Sequence, residues 1–131
     1  MKTDLFSLCD FAADYNGKLS VIGVFDSLYT QQDAGAVRQC SVALRLRYEK
    51  KDEGKHTIKL TLSDADGKTS AQLVETDIDL RASETAPTSI VQLALHVSNL
   101  SLPHIGIYSL DLHVDSRQVA STPLYLYKVT A

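Results

Sequence analysis

The sequence has no tryptophan, only three prolines and six glycines in 131 residues, and no long apolar run. The scarcity of proline and glycine, together with 44% hydrophobic residues, excludes the collagen-like, low-complexity and disordered classes. No apolar run approaches the roughly 20 residues of a membrane-spanning helix, so we expect no association with a membrane. The composition is that of an ordinary globular chain, and its length favours a single domain over residues 1–131.

Charge and the N-terminus limit the compartment and the partners. The net charge is −3 and the basic residues are scattered, so we expect no nucleic-acid partner. The first residues include Asp4 and only short apolar runs, which is not the pattern of a secretory signal, and we therefore expect a cytoplasmic protein. In that compartment Cys9 and Cys40 are interpreted as buried structural thiols, with a disulfide or redox pair as the alternative.

Apolar and polar residues alternate with a period of two in most of the chain. The pattern is strongest in residues 42–48, 58–62, 91–97 and 108–114, where one row is apolar and the other is mostly polar. Successive side chains of a strand point to opposite faces, so this period is typical of strands with one buried face. The alternation and the turn residues between segments predict eight strands, at residues 5–10, 18–29, 40–49, 56–63, 74–80, 90–98, 106–114 and 119–129.

Eight strands in one domain of this size favour a two-sheet antiparallel β-sandwich with Greek-key-like connections of the immunoglobulin or jelly-roll type. A partly closed β-barrel is the alternative. Asn16-Gly17 predicts a hairpin turn, and Gly23, inside the second predicted strand, indicates a bulge or a close backbone approach. Residues 11–15 could form a short helical turn. Tyr108, after Pro103 and at the start of a strand, resembles a tyrosine corner.

Reactive side chains give no strong functional motif, and we assign no catalytic residue and no cofactor. His96 and His113 both point away from the apolar row of their strands, and with Asp111 they would form a weak metal site if their strands were neighbours. Only two convergent ligands can be argued, however, and structural metal sites need more, so surface histidines are the favoured interpretation.

Two further rows of side chains invite a functional interpretation. Glu75, Asp77 and Asp79 form an acidic row, which we interpret as protection of a sheet edge or as a partner for a basic row such as Arg45 and Arg47. The second row is on the last predicted strand, where both faces are apolar: Tyr125 and Tyr127 on one, leucines on the other. Burial of both faces is favoured, and an exposed aromatic strip that serves as an interface is the alternative.

The N-terminal third carries a recognisable pattern. Its residues are Leu8, Cys9, Asp10, Ala12, Asn16, Gly17, Lys18, Leu19, Val21, Ile22, Gly23, Phe25 and Asp26. This pattern resembles a family of small bacterial proteins described only as a domain of unknown function, and the similarity extends through Asp64-x-Asp66-Gly67 to Pro123-Leu124. The resemblance implies a bacterial cytoplasmic β-sandwich and transfers no catalytic residue.

The absence of a cluster of reactive side chains in the sequence determines which functional hypothesis we favour. We expect an interaction or structural module that acts through a sheet edge or an exposed strand, with a protein partner or self-association. A domain that binds carbohydrate or another small ligand is the alternative, although the absence of tryptophan disfavours an aromatic groove. A hydrolase with dispersed active-site residues is the third hypothesis.

Overall fold

The structure is a computed structural model that describes residues 1–130. It contains nine β-strands and a short 3-10 turn at Lys50–Asp52. Among these residues no helix has the length and hydrophobicity needed to cross a membrane. The strands are β1 (Lys2–Tyr15), β2 (Lys18–Phe25), β3 (Ser27–Thr30), β4 (Ala36–Tyr48), β5 (Gly54–Asp64), β6 (Thr69–Leu80), β7 (Ser89–Leu102), β8 (Gly106–Val114) and β9 (Arg117–Lys128).

The strands form two sheets, as the alternation predicts. The four-stranded sheet has the order β2-β1-β4-β7, and the five-stranded sheet has the order β3-β9-β8-β5-β6. Most neighbouring strands are antiparallel, but β3 pairs in parallel with β9, which the sequence did not indicate. The second predicted strand is divided at Asp26, because the chain leaves the first sheet there and enters the second. Residues 11–15 continue β1 and form no helical turn.

The predicted apolar rows meet between the two sheets and form the core. The rows of β4, β5 and β8 are fully buried, while those of β6 and β7 are only partly buried because these strands lie at sheet edges. The core residues are Leu8, Cys40, Val42, Leu44, Leu46, Ile58, Leu60, Leu62, Leu100, Leu102, Tyr108, Leu110, Leu112, Val114, Leu124 and Leu126. Burial of such rows is the main stabilising contribution to a sandwich.

The predicted tyrosine corner is confirmed. The hydroxyl of the buried Tyr108 donates a hydrogen bond to the carbonyl oxygen of His104 at 2.6 Å, and it accepts one from the backbone N–H of His104 at 3.0 Å. The corner lies where the chain crosses from β7 in the first sheet to β8 in the second. It therefore fixes the geometry of this connection between the two sheets.

The β1–β2 hairpin folds back over the outer face of the four-stranded sheet. Cys9 is the last β1 residue that pairs with β4, and Asp14 lies five residues beyond it. A straight strand would carry Asp14 about 16 Å beyond the Cys9–Ser41 pair, away from the level of Leu5. Instead, Asp14 accepts a hydrogen bond from Gln92 at 3.2 Å, and Gln92 pairs with Arg45, on a level with Leu5. We name residues 11–22 the covering hairpin.

The covering hairpin explains why small residues on the outer face are buried. Ser41 and Ala43 alternate with the core row of β4 and so point away from the core, yet both are almost inaccessible to solvent. Cys9, the cross-strand partner of Ser41, is also fully buried. One half of this sheet is therefore the middle of three layers, which the sequence patterns did not predict.

Candidate functional site

Four strands end the two sheets, and three of them are protected against pairing with another chain. β3 has only four residues, and β2 has eight, with Lys18 at one end and a left-handed Gly23 that takes no part in the pairing with β1. β6 exposes the acidic row of Glu75, Asp77 and Asp79. Short length, bulges and charge are the usual means by which proteins prevent edge-to-edge association. The sequence interpretation of the acidic row as edge protection therefore agrees with its position.

The partner suggested for the acidic row is wrong. Asp77 accepts a hydrogen bond from the Thr57 hydroxyl at 2.7 Å, within the five-stranded sheet. Arg45 and Arg47 lie on the other sheet, where both contact Asp4, and the hydrogen bond from Arg47 lowers the pKa of that carboxyl group. Opposite charges in the sequence did not reveal which sheet each row occupies.

The fourth edge strand, β7, has none of this protection. Its 14 residues contain no Lys, Arg, Asp, Glu or Pro, and its register with β4 is regular over residues 89–97. The apolar row of Val91, Leu93, Leu95 and Val97 is only half-buried, since no strand lies on the far side of β7. The edge thus offers unpaired backbone groups next to apolar side chains, which is the surface that an added strand requires.

The histidines proposed as weak metal ligands do not come together. His96 is exposed on β7 in the four-stranded sheet, whereas His113 lies on β8 in the five-stranded sheet. The condition for that site, that their strands are neighbours, is therefore not met, and only Asp111 shares a strand with His113. Within residues 1–130 no group of three or more His, Cys, Asp or Glu side chains could hold a metal ion.

Asp111 and His113 nevertheless line a polar depression on the outer face of the five-stranded sheet. Its volume is about 410 Å³, and its other lining residues are Lys59, Thr61, Ser63, Gly67, Thr69, Ser109, Gln118 and Ser121. Asp111 is only 6% exposed, and its two carboxylate oxygens accept hydrogen bonds from the hydroxyls of Ser121 at 2.8 Å and Ser109 at 3.2 Å. We name this surface the Asp111 depression.

The aromatic row of β9 is partly exposed, since Tyr125 is half-buried and Tyr127 is exposed. Leu124 and Leu126 enter the core, and Tyr127 on the opposite face is 46% exposed. The ring of Tyr127 contacts those of Tyr125 and Tyr29, with centroids 6.0 and 5.7 Å apart. The expectation of burial is wrong at Tyr127, because β3 pairs with β9 only along its edge and leaves the outer face uncovered. Its use as an interface stays a prediction.

The sequence patterns did not predict a second exposed apolar surface. Phe11 and Ile22 are cross-strand partners on the covering hairpin, and both are more than half exposed, as are Tyr15 and Val24. Alternation is present here, but the apolar row faces solvent while Ala12 and Val21 face the sheet. The apolar row is exposed because the hairpin folds back over the sheet and turns its other face toward it.

His56 forms a compact polar cluster where β5 begins. Its Nδ1 lies 2.6 Å from the Asp115 carboxylate and its Nε2 lies 2.6 Å from the carbonyl oxygen of Asp52. The hydrogen bond to Asp115, the larger effect, and that to Asp52 raise the pKa of His56. Both partners accept, so the protonated ring, which donates from both nitrogens, fits the geometry best. The cluster joins the β8–β9 turn to β5 and is structural.

The cysteines are free thiols, and both are buried. Burial raises the pKa of Cys40 to about 11 and also raises the pKa of Cys9. A thiol with a raised pKa is a poor nucleophile, because the thiolate is the reactive form. The geometry therefore agrees with the interpretation of both residues as structural thiols.

Comparison with protein families gives one result that covers nearly the whole chain. Residues 4–127 match the model of DUF6941, a family of unknown function. The chain belongs to this family. The resemblance seen in the N-terminal residues is thus confirmed as membership of a family of unknown function, and DUF6941 transfers no activity to any residue. Comparison with the curated proteins gives no match.

Solved structures resemble this DUF6941 chain in fold alone. An alkylpurine DNA glycosylase of Pseudomonas fluorescens bound to DNA containing an abasic site analogue is 8% identical, with a TM-score of 0.51 over 95% of this chain. A β-glucosidase of Listeria innocua is 12% identical, with a TM-score of 0.50 over 93%. The chain spans 30% and 16% of the lengths of these two proteins.

An immunoglobulin-like protein of Pseudomonas aeruginosa matches with less close superposition. It is 13% identical and has a TM-score of 0.41, and the alignment covers 96% of this chain and 95% of that protein.

Proposed function

We propose that this chain is an interaction module that binds an extended protein strand at the β7 edge. The observation that carries the proposal is the contrast among the four edges, of which only β7 combines a length of more than eight residues with the absence of any charged side chain. Strand addition supplies main-chain hydrogen bonds for affinity, and apolar side chains on alternate positions add specificity. The half-buried row of β7 would gain burial when a further strand extends the sheet.

The sequence of β7 makes a second copy of the same chain the occupant that we propose. Antiparallel pairing about a two-fold axis at Ala94 places Leu93 opposite Leu95 of the second copy and Val91 opposite Val97. The other face then pairs Gln92 with His96. No like charges meet in this register. Apolar residues pair with apolar residues on one face and polar residues with polar residues on the other, which favours an isologous dimer.

Sedimentation velocity on the full chain tests the proposal. We expect the wild type to sediment as a dimer whose dissociation depends on concentration. Lysines introduced at two exposed β7 positions, in the double variant His96→Lys/Ser98→Lys, should yield a monomer, because lysine on an edge strand opposes pairing. The matched control, Gln72→Lys/Thr76→Lys, adds the same charge to exposed positions of β6 and should stay dimeric.

Unfolding midpoints of all variants establish that each chain is folded. A wild type that is monomeric over the whole concentration range would contradict the proposed dimer. Loss of the dimer in the β6 variant alone would assign the interface to the other edge and would equally contradict pairing through β7.

A further inference from the structure

Two polar residues of the Asp111 depression are buried although they lie on the outer face of the sheet. Asp111 and Thr61 pair across β8 and β5, and both alternate with leucines that enter the core. Their side chains therefore point to the outer face, yet Asp111 is 6% and Thr61 3% exposed. The next strand continues the row with Ser121, so three neighbouring strands contribute small polar side chains around one carboxylate.

The hydrogen bonds inside the depression leave part of the acceptor capacity of Asp111 unused. A carboxylate offers about four lone-pair sites, and the two hydroxyl donors to Asp111 fill two of them. In the described part of the chain no cationic group lies within ion-pair distance of Asp111; the eight ion pairs involve other residues. Nδ1 of His113 is buried without a hydrogen-bond partner among residues 1–130.

Burial of a carboxylate without a cation in direct contact is costly, since the loss of hydration is compensated only by pairing and hydrogen bonds. A ligand that carries positive charge and several N–H donors would compensate it. The lining has no Phe, Tyr or Trp and no large apolar residue, so we expect recognition to come from hydrogen bonds and charge rather than from apolar contact. The volume of about 410 Å³ lies in the range of sites for small molecules.

We propose that the Asp111 depression binds the ammonium group of a small polar amine. The Asp111 carboxylate accepts from the ammonium, and the hydroxyls of Ser109 and Ser121 orient that carboxylate. Lys59, whose cross-strand partner is His113, also lines the depression and weakens the binding of a cation by like-charge repulsion. This inference does not depend on pairing through β7.

Chemical-shift titration of the isotope-labelled full chain measures the binding, with ethylammonium as the probe. Tetramethylammonium carries the charge without N–H donors, and methyl glucoside offers hydroxyls without charge. We expect saturable shifts at residues of the depression with ethylammonium and clearly weaker binding of the other two compounds.

Two variants with opposite signs test the assignment to Asp111. Asp111→Asn keeps the shape and removes the charge, so ethylammonium affinity should fall at least about tenfold. Lys59→Met removes the competing cation and should strengthen binding. Asp77→Asn, an exposed carboxylate outside the depression, is the control and should bind as the wild type does.

Three results would overturn the proposal. They are the absence of saturable shifts with ethylammonium, unchanged affinity in Asp111→Asn, and equal binding of methyl glucoside, which would point to a polyol ligand. If Asp111→Asn fails to fold, the Lys59→Met variant decides, because unchanged or weaker binding there contradicts a cation site.

Discussion

Tyr108 shows how much one side chain contributes to the connection between the sheets. Its hydroxyl both donates to and accepts from the backbone of His104, so removal of the hydroxyl leaves two backbone groups without their partner. We expect Tyr108→Phe to lower the free energy of unfolding by about 1–3 kcal/mol, measured by urea denaturation. Tyr127→Phe, at an exposed ring outside the core, is the control and should be close to neutral.

His56 makes the stability of the fold depend on pH in a direction that its partners determine. The groups that face it are the Asp115 carboxylate and the Asp52 carbonyl and carboxylate, which all favour the protonated ring. Its folded-state pKa is therefore raised above the unfolded value of about 6.5. The stabilisation is complete below that value and is lost as pH rises through the folded-state pKa.

We therefore expect the wild type to lose stability as the pH rises above about 6.5, and the comparison extends to about pH 8, below the pKa of about 8.5 of cysteine in an unfolded chain. The variant His56→Gln should lose less over the same interval, because glutamine does not titrate. Urea midpoints measured in parallel at each pH check this. Equal slopes for the two proteins would contradict a charged His56.

At the scale of a single element, the two glycines of the β1–β2 hairpin have different surroundings. Gly23 has φ of +71°, and a Cβ atom at this position would lie 2.4 Å from Oδ2 of Asp10 on the paired strand. Gly17, in the turn of the same hairpin, also has positive φ but no atom near the added carbon. Substitution of Gly17 therefore measures the cost of backbone strain alone, whereas substitution of Gly23 adds the cost of the contact with Asp10.

We expect Gly17→Ala to cost about 1–2 kcal/mol of unfolding free energy from the left-handed backbone alone. Gly23→Ala should cost clearly more, and it should expose the Cys9 thiol to a maleimide reagent because the hairpin covers that residue. Asp10→Ala in the same chain should restore part of the loss. Equal costs for the two glycine variants, with no rescue, would show that the contact does not matter.

Strand positions could be predicted at the element scale because alternation is local. The apolar row 91–97 was correctly predicted as a strand with one inward face, and the Asn16-Gly17 turn is a hairpin in the structure. The covering hairpin could not be predicted, since Gly23 indicates a bend but not its direction. That direction depends on a contact between Asp14 and Gln92, 78 residues apart.

At the scale of the whole molecule, sheet order decides which residues can act together. The alternation predicted the strands of His96 and His113 but not that they belong to different sheets. The same limit hides the importance of β7, whose uncharged sequence suits a central strand as well as an edge. Sheet order also assembles the Asp111 depression, because β5, β8 and β9 become neighbours only in the folded chain.

The central claim is that β7 pairs with β7 of a second copy about an axis at Ala94. Crosslinking of Ala94→Cys with a short bismaleimide tests this most directly, because the axis brings position 94 of the two copies face to face. We predict a covalent dimer for Ala94→Cys and none for Ser98→Cys, which the antiparallel register would place about 26 Å from its symmetry mate. Monomeric Ala94→Cys protein, or equal crosslinking at both positions, would contradict the account.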